Sequence, residues 1–165
     1  MKQIKKILVP VAFSPFTEGI VQYAIMFANS LSVERLIFMN VINQRDLDTV
    51  ELISSFGYDV DKSHYIQEIK KQRSESLEKM LDRLDFPKDK MKFVMTIGNP
   101  SMKLLEYGVK QEVDIIIMGL RAKSDLIHVF TGSVAEKMFK SSPITIVSYR
   151  EESLAAPLRK HIKLC

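Results

Sequence analysis

The chain carries a single cysteine, Cys165 at its last position, so no intrachain disulfide can form. A chain of 165 residues with so little thiol reads as a protein of a reducing compartment, and a cytoplasmic location is the expectation. Glycine and proline are also scarce, six of each, while apolar residues make up 46%. That balance excludes collagen-like, low-complexity and disordered classes. The longest apolar stretch, residues 7–13, contains Pro10. A membrane-spanning helix needs about 20 apolar residues, so no membrane partner is expected. The lysines at 2, 5 and 6 precede this stretch, but Pro10 and Ser14-Pro15 interrupt it, and it reads as a strand and not a signal peptide. An excess of one charge is missing too. Twenty-four basic residues against twenty acidic ones give +4, and the two signs alternate, as in the run from Glu68 to Glu75. Such a run reads as a solvated helix face, and without a basic patch no nucleic-acid partner is expected.

What is present is an alternation of short β-branched runs with helical patterns, and no internal repeat. Strands are expected over residues 4–11, 35–42, 91–97, 114–119 and 144–148. Ser14-Pro15 offers an N-cap and a first-turn proline for a helix carrying Ile20, Ala24, Phe27, Ala28 and Leu31. Residues 43–61 are the least regular, with one short helix suggested by Leu47, Val50 and Ile53 and broken at Gly57. From Lys62 a long helix shows one face of Ile66, Ile69, Leu77, Met80, Leu81 and Leu84, stopped by Pro87. Asn99-Pro100 opens a helix with Met102, Leu105 and Val109, and Gly132-Ser133 opens one that Ser141-Ser142-Pro143 ends. This order describes a single-domain α/β protein: a doubly wound, five-stranded parallel sheet flanked by helices, Rossmann-like, over residues 1–149. Residues 150–165 read as a C-terminal tail of a solubilising or frayed kind. The expected core includes Ile7, Val9, Ile37, Val94, Ile116 and Ile146. Met80, Met102, Met118 and Met138 fall on core-facing patterns as gap-fillers.

Ligands of open parallel sheets sit outside the carboxyl ends of the strands. Gly119 ends a buried strand, and Gly132-Ser133 begins a helix after a loop of no regular pattern. Free N–H groups and the positive end of the helix dipole there could hold a phosphate. Taken locally, the simpler reading of these residues is a turn glycine and a capping serine, since Ser133 and Glu136 have capping-box spacing and a capping box needs no ligand. His64, His128 and His161 have no metal-ligand spacing, and no metal is expected. Neither a G-x-G-x-x-G nor a G-x-x-x-x-G-K-[ST] run occurs, which argues against a dinucleotide enzyme or a P-loop NTPase. Ala12 and Phe13 stand where a response regulator would need metal-binding acids, and Ser14 has no nearby base to make it a nucleophile.

Gly119-Leu120-Arg121-Ala122, nine further residues and then Gly132-Ser133 closely resemble the G-x2-G-x9-G-[ST] nucleotide loop of the universal stress protein family. KKILVPVAFSPFTEGIVQYA, NVIN at positions 40–43, GNPSMKLLEYGVKQEVDIIIMG and GSVAEKMFKSSPITIVSY resemble further blocks of that family, covering nearly all of residues 3–149. The resemblance implies an adenine nucleotide alpha-hydrolase-like fold. It also implies an ATP site at Pro10, Val11, Ala12, Val41, Met118, Gly119, Arg121, Ala122, Gly132, Ser133 and Val134. Two departures weaken it. The P-[VT]-D acid of ATP-binding members is Ala12 here, and the second loop glycine is Ala122, whose methyl narrows the approach to phosphate. The expected protein is therefore a cytoplasmic, homodimeric stress-response module that binds ATP weakly and turns nothing over. The rival is a slow ATPase or self-phosphorylating enzyme using the same loop. The homodimer is implied through the strand Ile144-Thr145-Ile146-Val147-Ser148, paired across a two-fold axis.

Overall fold

The computed structural model describes residues 3–56, 61–120 and 133–162. Five parallel strands form one sheet: β1 (Lys6–Pro10), β2 (Arg35–Asn43), β3 (Met91–Gly98), β4 (Ile115–Gly119) and β5 (Thr145–Tyr149), in the order β3-β2-β1-β4-β5. The described helices are α1 (Thr17–Leu31), α2 (Gln44–Ser55), α3 (Lys62–Leu81), α4 (Pro100–Lys110), α5 (Ser133–Ser141) and α6 (Glu152–His161). No described helix is long and apolar enough to cross a membrane.

The sheet separates two cores because alternate side chains of each strand leave it on opposite faces. Ile7, Val9, Leu36, Phe38, Ile115 and Ile117 pack beneath α1 and Leu77 of α3. Leu8, Ile37, Met39, Ile116 and Met118 meet Leu104 of α4 with Ala135 and Met138 of α5. Register sets the layers: Leu8 lies beside Ile37 on one side and Ile116 on the other. The expected core residues Ile7, Val9, Ile37 and Ile116 are buried, but Val94 and Ile146 are only half-buried. They belong to β3 and β5, the outer strands, which have a neighbouring strand on one side only.

Several local expectations are corrected. α1 starts at Thr17 and not at Ser14-Pro15: the Ser14 carbonyl accepts from the Thr17 N–H at 2.9 Å, and the Ser14 N–H donates to Thr17 Oγ1 at 2.8 Å. These bonds close a turn, which postpones the helix. The short helix expected at Leu47, Val50 and Ile53 is present as α2, capped by the Asn43 side chain accepting from the Arg45 N–H, with Leu47 and Val50 buried but Ile53 exposed. α3 is capped by Asp61 and ends at Leu81, ahead of Pro87; of its expected face only Leu77 is fully buried. α4 is capped by Asn99, yet its buried face is Ser101, Leu104 and Gly108, leaving Met102 and Val109 more than half exposed. Both sets have helical spacing. The smaller residues win because they allow close approach: a Cβ on Gly108 would lie 2.7 Å from Ile144 Cδ1. The expected frayed tail contains α6. Before it, Tyr149 Oη donates to Glu151 Oε2 at 2.9 Å, and both groups crowd Gly19 of α1.

Candidate functional site

Strand order reverses between β1 and β4, since the chain leaves β1 toward β2 and reaches β4 only after crossing back. At such a switch point neighbouring crossovers leave on opposite faces, and a crevice opens at the carboxyl ends of the strands. A cleft of about 470 Å³ lies there. That is within the usual range of small-molecule sites.

Among the expected site residues, Pro10, Val11 and Ala12 line the cleft from β1 and the turn behind it, and Val41 does so from β2. Met118 and Gly119 line it from β4, and Val134 from the first turn of α5. Ser133 opens α5. Arg121, Ala122, Gly132 and also His128 lie outside the described residues. Neither of the usual structural demands explains Gly119. Its φ is not positive, and an added Cβ would meet only Ile20 Cδ1, at 3.6 Å, an ordinary contact. What its missing side chain does provide is open backbone on the cleft wall.

Phe13, Asn40, Asp46 and Arg73, in or beside the cleft, are among the residues absent from the expected site. Asn40 is buried between apolar residues in the middle of β2. Its amide donates to the Val11 carbonyl at 2.6 Å, and its Oδ1 accepts from Arg73 Nη1 at 2.7 Å. The Arg73 guanidinium also lies over the Phe13 ring, 5.7 Å from its centroid, and that ring meets Phe93 edge-on. Phe13 holds φ at 51°, a left-handed conformation that costs a bulky residue energy and persists only where its surroundings enforce it. Arg73, Asn40 and Phe13 thus form a relay that fixes the β1–α1 turn. Burial pushes the Arg73 pKa below its ordinary value, while Tyr65 and Asp46 act in the opposite sense. The guanidinium remains charged at neutral pH. The run from Glu68 to Glu75 is therefore not uniformly solvated, because Arg73 turns inward. An asparagine flanked by apolar residues inside a strand was the one available signal, since a buried amide requires partners. Among the described residues no cluster of three His, Cys, Asp or Glu side chains can hold a metal ion.

The sequence model of the universal stress protein family matches residues 3–150. The chain belongs to the universal stress protein family. Universal stress protein MJ0577 of Methanocaldococcus jannaschii is 29% identical over 156 residues, covering 87% of this chain and 94% of that protein. The solved structure of MJ0577 superposes with a TM-score of 0.68, at 24% identity over 92% of this chain and 99% of the other. A universal stress protein crystallised in complex with cAMP gives a TM-score of 0.62, at 13% identity over 90% of this chain and 98% of the other. At these identities the structural matches establish the fold, a five-stranded parallel α/β sheet of the universal stress type.

Proposed function

We infer that this universal stress protein is a non-catalytic module that holds a nucleoside phosphate in the cleft at the β1–β4 switch point, and that it binds ATP weakly. The observation that carries this reading is the meeting of open backbone at Gly119 with the N-terminus of α5 on one cleft wall. Unpaired N–H groups and the helix dipole favour phosphate there. The cAMP complex of a relative with the same fold supports it. The family resemblance assigns Gly132, Ser133 and Arg121 to the phosphate end, and Pro10, Val11, Ala12, Val41, Met118 and Val134 are its walls. Ala12 and Ala122 weaken ATP, the first by withholding a carboxylate and the second by crowding the loop.

Turnover is not part of the reading. The described acid on the cleft is Asp46, on α2 behind β2, across β1 from the start of α5 where a terminal phosphate would sit. A general base must reach its proton within hydrogen-bond distance. Calorimetric titration of the purified chain with ATP, alongside an assay of phosphate release, tests both halves. Measurable binding with no release is expected, and steady release would favour the ATPase reading.

The module acts as a cytoplasmic homodimer of residues 1–149 with 150–165 appended. β5 is an edge strand, and an exposed edge is a template for pairing. Antiparallel pairing of two β5 strands satisfies both. Light scattering is expected to give twice the chain mass, and proline at Thr145 or Val147 to give the monomer, because proline removes a backbone donor.

A further inference from the structure

Among the described residues, one cationic and one acidic side chain line the cleft, Arg73 and Asp46. Both stand at its β2 side. Asp46 is on α2, which directly follows β2, and Arg73 bonds to Asn40 of β2. The start of α5 lies toward β4, on the other side of β1. Two strand spacings separate the two sides, about 10 Å. A nucleotide with its phosphates at α5 therefore presents its base to Arg73 and Asp46.

The guanidinium is held before any ligand arrives. Asn40 Oδ1 takes one of its five N–H donors, the Phe13 ring covers it, and no carboxylate lies within ion-pair distance of it among the described residues. A half-buried, oriented guanidinium that lines a cleft and makes no contact ion pair among the described residues is complementary to a group with two adjacent acceptors. Guanine offers such a pair, O6 with N7, whereas adenine sets an N6 amino donor beside N7. The Asp46 carboxylate, an acceptor only, complements the N1–H and N2 amino group that guanine carries and adenine lacks.

We propose that the Arg73–Asp46 end of the cleft selects a keto purine, so that this universal stress protein binds guanine nucleotides in preference to adenine nucleotides. This rests on the nucleoside-phosphate reading of the cleft. It accounts for a chain that carries Ala12 where ATP-binding members of the family have an acid.

The test is calorimetric titration of the full chain with GTP, ATP and inorganic tripolyphosphate. GTP is expected to bind at least about tenfold more tightly than ATP, as one well-formed bidentate pair discriminates between bases. Arg73→Met is expected to bring the GTP-to-ATP ratio close to one, mainly through weaker GTP. Asp46→Ala, at an exposed position and so tolerated by the fold, is expected to lower the same ratio by a smaller factor. ATP binding as tightly as GTP would overturn the base preference while leaving the nucleotide site standing. So would an equal loss of both nucleotides in a folded Arg73→Met chain, which would make Arg73 only a strut for the turn. Failure of all three ligands to bind would overturn the nucleotide reading itself and this inference with it.

Discussion

The two ends of the cleft are built by different means. At the β4–α5 end the chemistry belongs to the backbone: an open strand end at Gly119 and a helix start at Ser133, both marked by short local patterns. At the β2–α3 end it belongs to side chains brought from distant parts of the chain. Asn40 reaches Val11 across 29 positions of sequence, and Arg73 reaches Asn40 across 33. A backbone site can be recognised from glycine and capping residues because only a few residue types permit it. A side-chain relay has no such signature, since an arginine on a mixed-charge helix points outward unless a tertiary partner draws it in. The comparison teaches that a site built from backbone announces itself in local sequence, whereas one built from side chains of distant segments does not.

The largest effect is expected where both ends share a foundation. Ile116 is fully buried in β4, and Ile116→Ala should cost about 2–5 kcal/mol in denaturant unfolding. Val94→Ala on the half-buried outer strand β3 should cost clearly less. Equal costs would break the distinction between the central and outer strands.

Gly132→Val should take ATP and GTP binding below calorimetric detection, by blocking the backbone approach at the α5 end. Retained binding would show that the phosphate rests elsewhere. Restoring the family pattern with Ala12→Asp and Ala122→Gly should tighten ATP by one to two decades, the worth of one charged hydrogen bond at about 1.5–3 kcal/mol. No gain would mean that the base end has been rebuilt for another ligand.

The relay itself is open to measurement. Asn40→Leu leaves the Val11 carbonyl and Arg73 without their buried partner, at a cost of about 1–3 kcal/mol in thermal unfolding followed by circular dichroism. An unchanged melt would reduce the relay to coincidental proximity. The smallest effect serves as a control. Ser32, at the end of α1 away from the cleft, holds the same left-handed φ of 51° as Phe13. Ser32→Gly should gain about 1 kcal/mol or less by relieving the Cβ penalty, partly offset by the greater freedom of glycine when unfolded. Nucleotide affinity should not move, because that strain lies outside the cleft.

Much of the architecture was legible because parallel strands buried on both faces need continuous apolar runs, and Ile7, Leu8 and Val9 or Ile115, Ile116, Ile117 and Met118 can satisfy nothing else. The helix caps at Asn43, Asp61 and Asn99 mark where helices start by donor and acceptor chemistry that is local to each. Periodicity alone misled at α4, where Met102 and Val109 share a helical stripe yet face outward. Ser101 and Gly108 lie against the sheet because their small size allows contact that larger residues would prevent.

The amino-acid order by itself determined the strands, the alternation of helices and the glycine–serine pair ahead of α5, since each depends on residues within a few positions of one another. Tertiary structure alone decided which strands became edges, which stripe of α4 was buried and that Arg73 turned inward to Asn40 above Phe13. Those outcomes depend on which surfaces meet once the sheet has closed, and burial is set by the neighbour a residue acquires and not by its own chemistry.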